Sequence, residues 1–260
     1  MNTTFAVSVG NTRIQLGLIE EDKVVDVAFL QVDAIGDAIE KLTKWWKKDG
    51  EKSNDAVLMG SVHPELSKKL ASLIQDQLGA EVYELENDIP VPIGRSLDPE
   101  TIVGVDRLLN AAAAWDHSKQ ACVIIDAGTA VTVDFVDGEG VFHGGAIMPG
   151  ARMQLKAMAD GANLLESIDF KQPDKEAFGR STASAMQRGV YHGIRGGVWR
   201  VIEVFAEEYG AYPLVIATGG DADVLFKDDE LVTRIVPDLA IRGIAVAARH
   251  ATTPGDDIDS

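Results

Sequence analysis

With 260 residues, 46% hydrophobic and 25% charged, the chain is long enough for one large domain or two modest ones. Its 41 acidic residues against 24 Lys and Arg leave a net charge of −17. That field repels nucleic acid and anionic membrane, and repels nucleotides unless amide donors or cations overcome it locally. No apolar run approaches the ~20 residues that span a bilayer. No basic segment followed by an apolar block opens the chain, so no signal peptide is expected. The single Cys122 cannot close an internal disulfide; it sits in the apolar run Ala121–Ile125 and reads as a small hydrophobe, in keeping with a cytoplasmic protein.

The first predicted element is a β-hairpin, Phe5 to Ile19, bent at Gly10-Asn11-Thr12 and closed by the turn Glu20–Lys23. A helix follows over roughly 34–48, with Ile35, Ala38, Ile39, Leu42 and Trp45 on one face. A short strand at 56–59 leads to a helix that Pro64 opens and that runs to about Leu78. Residues 81–85 read as a strand, 89–94 as an extended Pro-rich stretch, and 104–115 as a helix with Leu108, Leu109, Ala112 and Ala113 inward.

From Val123 to Val136 the opening pattern repeats: an apolar strand, a bend at Gly128-Thr129-Ala130, a second β-rich stretch, then the turn Asp137–Gly140. A Gly-rich turn is expected at 144–150, a helix from Ala151, and a longer helix over 184–209 capped by Ser181 or Thr182. On that helix Gly189, Gly193, Gly196 and Gly197 each weaken the element, so close packing is expected to require them. A strand at 214–217 runs into Thr218-Gly219-Gly220-Asp221-Ala222, and a last helix covers 241–250. The five histidines show no ligand spacing, and no zinc site is expected.

Strands and helices thus alternate in two halves, each opening with a glycine-bent hairpin. Such bends suit phosphate, because glycine lets backbone amides approach closely and nearby hydroxyls add donors. Read on its own, Asp106 is a first-turn helix carboxylate favoured by the helix dipole, or a partner for Arg107. Asp126, read on its own, is a turn-capping residue.

Five motifs stand in order: Val9-Gly10-Asn11-Thr12, Gly104-Val105-Asp106-Arg107, Asp126 to Ala130, Gly144 to Gly150, and Thr218 to Ala222. In order and spacing they resemble those of type III pantothenate kinases, within the actin/Hsp70/sugar-kinase superfamily, over nearly the whole chain. The resemblance implies an α/β fold of two duplicated ribonuclease-H-like domains with an interdomain cleft, placed here at 1–117 and 118–251, followed by a frayed tail at 252–260. The implied activity is ATP-dependent phosphorylation of pantothenate to 4′-phosphopantothenate, the first step of coenzyme A biosynthesis.

By the same resemblance Asp106 is the general base. Ser8, Val9, Gly10, Asn11, Thr12, Arg13 and Gln15, with Gly128 and Thr129, meet ATP and its phosphates. Leu97, Gly104, Val105, Asp106, Arg107 and Thr182 meet pantothenate, Arg107 taking its carboxylate. Asp126 binds a monovalent cation, K+ or NH4+, and Mg2+ arrives with ATP. A homodimer is implied, without nucleic acid or membrane as partner.

Two positions depart from the family pattern: Ser8 stands where the family has Asp, and Leu97 is nearest to a substrate-contacting Tyr. Two other readings follow from these departures. One is a catalytically weakened, nucleotide-binding regulatory relative, which the acidic charge turns away from direct DNA contact. The other is a kinase of the same fold for a different small hydroxylated substrate.

Overall fold

The first hairpin forms where the sequence places it. In the computed structural model, which describes residues 3–49 and 56–252, strand β1 (Thr3–Val9) turns into antiparallel β2 (Arg13–Glu20), with Val9 opposite Ile14. Glu21 and Asp22 take left-handed backbone, φ 49° and 63°, whose twist suits a tight hairpin. The chain returns as β3 (Lys23–Gln31), an edge strand whose apolar alternation is interrupted by Asp26.

Helix α1 (Ile35–Asp49) buries Ala38, Ile39, Leu42 and Trp45, the stripe its periodicity marks. Strand β4 (Ala56–Ser61) pairs parallel with β1. Helix α2 (Pro64–Leu78) starts at its proline, with His63 accepting from Leu66 N–H and Gly79 closing it at φ 67°. Strand β5 (Val82–Glu84) completes a sheet in the order β3-β2-β1-β4-β5.

Residues opposite each other on paired strands share a face. Phe5, Val7 and Val9 with Leu18, Leu16 and Ile14 therefore turn one way, into a core with α1 and α2. Ala6, Ser8, Gln15, Gly17 and Gly60 turn the other way. There a Cβ on Gly60 would come within 2.8 Å of Leu109, on the helix introduced next, so that helix covers this face.

Beyond β6 (Gly94–Arg95), helix α3 (Val105–Ser118) buries Leu108, Leu109 and Ala111 to Ala114. Strands β7 (Cys122–Ala127), β8 (Ala130–Val136) and β9 (Val141–Pro149) form an antiparallel meander. The stretch expected as a Gly-rich turn at 144–150 instead lies in β9 as far as Pro149, and Gly150 is the N-cap of the helix that follows. Its glycines admit close strand pairing, since a Cβ on Gly145 would lie 1.9 Å from Val133 O, and Gly144 has φ 83°.

Helices α4 (Ala151–Gly161) and α5 (Thr182–Tyr209), strand β10 (Leu214–Thr218), helix α6 (Ala222–Phe226) and strand β11 (Arg234–Ile235) follow, then α7 (Leu239–Thr252). This sheet runs β11-β10-β7-β8-β9-β6, with β10 parallel to β7. Val123, Ile125 and Ala127 of β7 meet Val131, Val133 and Phe135 of β8 and the Val190, Ile194, Val198 and Ile202 stripe of α5. Cys122 is fully buried, which pushes its thiol up to about 12 against a lowering hydrogen bond with Ser118.

The chain forms two units: residues through Gly94, Asp98–His117 and those from Asp238 on, and then Arg95–Leu97 with Ser118–Pro237. The expected second domain, 118–251, is corrected here, because α7 belongs to the first unit. Ile241 fits against Gly17, where a Cβ would lie 2.2 Å from its side chain, and Gly243 lies against Leu109 O. Of the expected tail, Thr252 ends α7 and the rest lies outside the described residues. Among the described residues no helix is long and apolar enough to cross a membrane.

The glycines of α5 find no such packing within the described residues of this chain. Nothing lies within 4 Å of a Cβ built on Gly189, Gly193 or Gly196, and only Gly197 touches a neighbour, Met148. Packing within the described residues therefore does not require them.

Candidate active site

Asp106 is the second residue of α3, and its Oδ1 accepts from Arg107 N–H at 2.8 Å. Gly104 allows this: a Cβ there would lie 2.6 Å from that oxygen and 3.3 Å from Val62. Val62 N–H in turn donates to Val9 O at 3.0 Å, at the tip of the first hairpin. The end of β4 thus joins the start of α3 to the Val9–Gly10 bend. Ser8 and Gln15 point to the same sheet face that α3 covers, so the first unit assembles Ser8, Val9, Gly10, Gln15, Gly104, Val105 and Asp106 around one end of β1 and β4.

Ser8 is buried between Gln15 on β2 and Gly60 on β4. Gln15 Oε1 is buried and meets no hydrogen-bond donor among the described residues. Gly10 N–H donates to Arg13 O at 2.9 Å, while Asn11 and Thr12 are exposed at the tip and Arg13 is half-buried. Arg107 is half-buried one position along α3.

The second hairpin repeats the plan with different chemistry. Gly128 N–H donates to Ala130 O at 2.9 Å. Asp126 stands opposite Thr132 on β8 and beside Thr218 on β10. A Cβ on Gly219, which has φ 91°, would lie 2.5 Å from Asp126 Oδ1 and 2.4 Å from Ala127 O, so only glycine fits there. Thr129 is exposed at the bend, and Gly150 N–H donates to its carbonyl at 3.1 Å. The protein's own packing leaves Gly128 free to carry a side chain but would crowd one at Gly10. A Cβ would meet Arg13 O at 3.3 Å on Gly10 and ordinary contacts at 3.8 Å on Gly128. At Gly128 the bare bend leaves room for a ligand to approach the backbone closely.

The group around Asp126 fits a hard cation. It combines one carboxylate with two hydroxyls, and Thr132 Oγ1 is buried without a hydrogen-bond partner among the described residues. Oxygen donors with little charge suit a monovalent ion. Among the described residues no cluster of three His, Cys, Asp or Glu exists that would hold a transition metal. The first hairpin offers only the neutral oxygens of Ser8 and Gln15 at the corresponding place, which suit a water on a metal rather than direct charge neutralisation.

Thr182 is the first residue of α5 and is exposed. Ser181 is the cap, in a reciprocal pair with Ser184. Leu97, in the second unit, lies against β9, where a Cβ on Gly144 would meet its side chain at 3.3 Å. Thr132 and Thr218 escaped the sequence analysis. Aligning Gly10 with Gly128 and counting across each hairpin would have found Thr132. Thr218 opens the fifth motif, but nothing local ties it to Asp126, which it meets through pairing of strands 92 residues apart (218 − 126).

The described geometry has counterparts in known proteins. The family model for type III pantothenate kinases matches residues 4–204. A type III pantothenate kinase from Paramagnetospirillum magneticum is 32% identical over 256 residues, 96% of this chain and 98% of that protein. One from Dehalococcoides mccartyi is 31% identical over 247 residues, 93% and 95% of the two chains. Among solved structures, a putative Baf family transcriptional activator from Campylobacter jejuni superposes with a TM-score of 0.61 at 20% identity, covering 96% of this chain and all of that one. An activator of 2-hydroxyisocaproyl-CoA dehydratase from Clostridium difficile gives 0.52 at 14% identity, covering 99% and 100%. These structural likenesses place the chain in the mixed α/β fold of the actin/Hsp70/sugar-kinase superfamily.

Proposed function

The chain belongs to the type III pantothenate kinase family, and from that premise we propose how its residues divide the transfer of a phosphoryl group from ATP to pantothenate. The overall reaction makes 4′-phosphopantothenate and ADP, the first step of coenzyme A biosynthesis. The observation that carries the assignment is the link from Asp106 through Val62 to the first hairpin, which puts a carboxylate and a phosphate-type bend at one end of the same two strands.

Asp106 accepts the proton of the pantothenate hydroxyl as that oxygen bonds to the γ-phosphorus and the bond from phosphorus to the β-phosphate oxygen breaks, releasing ADP. The hydrogen bond from Arg107 N–H orients the carboxylate for this. Arg107 pairs through its fork with the pantothenate carboxylate, Thr182 donates its hydroxyl, and Gly104, Val105 and Leu97 complete the contact. The bends at Gly10–Arg13 and Gly128–Thr129 meet the phosphates, and Ser8 and Gln15 would hold, through water, the magnesium that comes with ATP. Asp126, Thr132 and Thr218 would hold K+ or NH4+, whose positive charge offsets phosphate charge in an acidic protein.

The two sheets support a duplicated ribonuclease-H-like architecture. Each contains three antiparallel strands followed by two parallel ones, β3-β2-β1-β4-β5 in one and β9-β8-β7-β10-β11 in the other, where β6 is added beyond β9. The exposed glycine face of α5 supports a homodimer in which a second copy packs there, and the lone, buried Cys122 supports a cytoplasmic setting. The acidic charge favours small-molecule partners over nucleic acid.

A coupled ADP-release assay on the purified protein, with and without pantothenate, in potassium and in sodium buffer, tests this reading. Pantothenate-dependent release that is faster in potassium is the expected result; release indifferent to pantothenate would end it.

A further inference from the structure

Asp221 is 2% exposed, and both its carboxylate oxygens accept from one nitrogen of Arg152, Nη1, at 2.7 Å each. It directly precedes α6, yet its side chain makes no capping bond to that helix. A buried carboxylate is costly unless paired, and this one has been placed to serve an arginine 69 residues away. Arg152 itself is not buried: its side chain is 64% exposed. Nη2 and Nε, with three N–H donors, have no partner among the described residues. The pair therefore presents a guanidinium held from beneath, with most of its donors facing outward.

The place it occupies is the second hairpin bend. Arg152 is the second residue of α4, whose preceding Gly150 is pressed onto the bend. A Cβ there would lie 2.2 Å from Gly128 O and 2.4 Å from Thr129 O. On the other side, Asp221 N–H donates to Ala127 O at 2.9 Å. The backbones that carry the arginine and its anchor thus contact the bend from two elements, at Gly150 and at Asp221. In a chain of net charge −17, a phosphate at this bend needs a local cation, and an arginine whose rotamer is already fixed loses little freedom on binding it.

We propose that Arg152 is a phosphate-binding residue of the nucleotide site, taking an oxygen of the diphosphate that ATP and ADP share, and that Asp221 is its positioning residue. This rests on the reading of the Gly128–Thr129 bend as a phosphate site. Asp221 fixes the direction of the fork, and Arg152 supplies charge that the bend's amides and hydroxyl lack.

Calorimetric titration of ADP and of adenosine into the full-length wild type, Arg152→Ala, Arg152→Lys, Asp221→Asn and Thr129→Val separates the possibilities. Arg152→Ala is expected to weaken ADP by roughly tenfold or more while leaving adenosine unchanged, and to raise the KM for ATP with little change in that for pantothenate. Arg152→Lys should recover part of the loss, since it keeps charge without the fork. Asp221→Asn should weaken ADP but not adenosine, a selectivity that a merely structural residue would not show. Wild-type ADP affinity in Arg152→Ala, or equal losses for ADP and adenosine, would overturn the proposal. If Thr129→Val weakens ADP and Arg152→Ala does not, Arg152 alone is misassigned. If neither does, the bend is not the phosphate site.

Discussion

Ser8 lies directly opposite Gln15 across the first hairpin, at the register position that Asp126 and Thr132 hold across the second. The outer neighbours differ too: Gly60 stands beside Ser8 and Thr218 beside Asp126. One hairpin therefore presents a carboxylate between hydroxyls and the other a hydroxyl between an amide and bare backbone. On the proposed reading, this asymmetry leaves the direct ionic work to the second hairpin.

Replacing Ser8 by Asp tests that division. The new carboxylate would be buried, so without metal it is expected to lower stability by ~1–3 kcal/mol. With magnesium-ATP present it should reduce the magnesium concentration needed for half-maximal rate, with the gain greatest at low magnesium. Steady-state rates across a magnesium series read this out. Lower activity at every concentration would mean the site is built around the serine.

Asp106→Asn removes the proposed proton acceptor while an amide oxygen can still take the Arg107 N–H bond. Turnover is expected to fall ~10²–10⁴-fold, with nucleotide binding and thermal unfolding close to wild type. A variant that keeps most of its turnover would take Asp106 out of the role of base.

Asp126→Ala leaves Thr132 and Thr218 without the carboxylate between them. The variant should lose the difference in rate between potassium and sodium buffers, not only rate. A variant that retains its cation preference would place the ion elsewhere.

Gly243 and Gly36 make a matched pair for stability. A Cβ on Gly243 would lie 2.2 Å from Leu109 O, so alanine there has to push α7 from α3 and is expected to cost ~1–3 kcal/mol. Nothing lies within 4 Å of a Cβ on Gly36 in the first turn of α1, and alanine there should be neutral or gain up to ~1 kcal/mol. Urea unfolding of the two variants checks the contrast, and equal effects would contradict the close approach of α7 and α3.

Asp137 gives a pH signature. Burial acts to raise its pKa, but its contact with His143 at 2.7 Å and the N–H groups of Val141 and Glu139 outweigh that and hold it below the ordinary carboxylate value of 3.8. A lowered folded-state value means stabilisation that is present above the unfolded pKa and fades as pH falls through the folded one. Asp137→Asn should therefore be less stable than wild type at neutral pH, with the gap closing in acid below 3.8. A gap independent of pH would show that the charge contributes nothing.

Much of the framework of the candidate site was legible in the sequence because it is locally encoded. The bends at Gly10 and Gly128, the start of α3 at Val105 and the opening of α2 at Pro64 follow from turn chemistry, helix caps and apolar periodicity within a few residues. The tertiary structure decided what lies next to these elements. Which unit receives α7 depends on Gly17 and Gly243 yielding room to Ile241 and to α3, a matter of steric fit between distant segments. That Thr218 flanks Asp126 depends on the register of β10 against β7, and that Arg152 meets Asp221 depends on α4 and α6 converging on one bend. Periodicity along a chain determines which face a residue shows. It does not determine which residue, scores of positions away, that face will meet, because the pairing is selected by packing of the whole sheet and its helices.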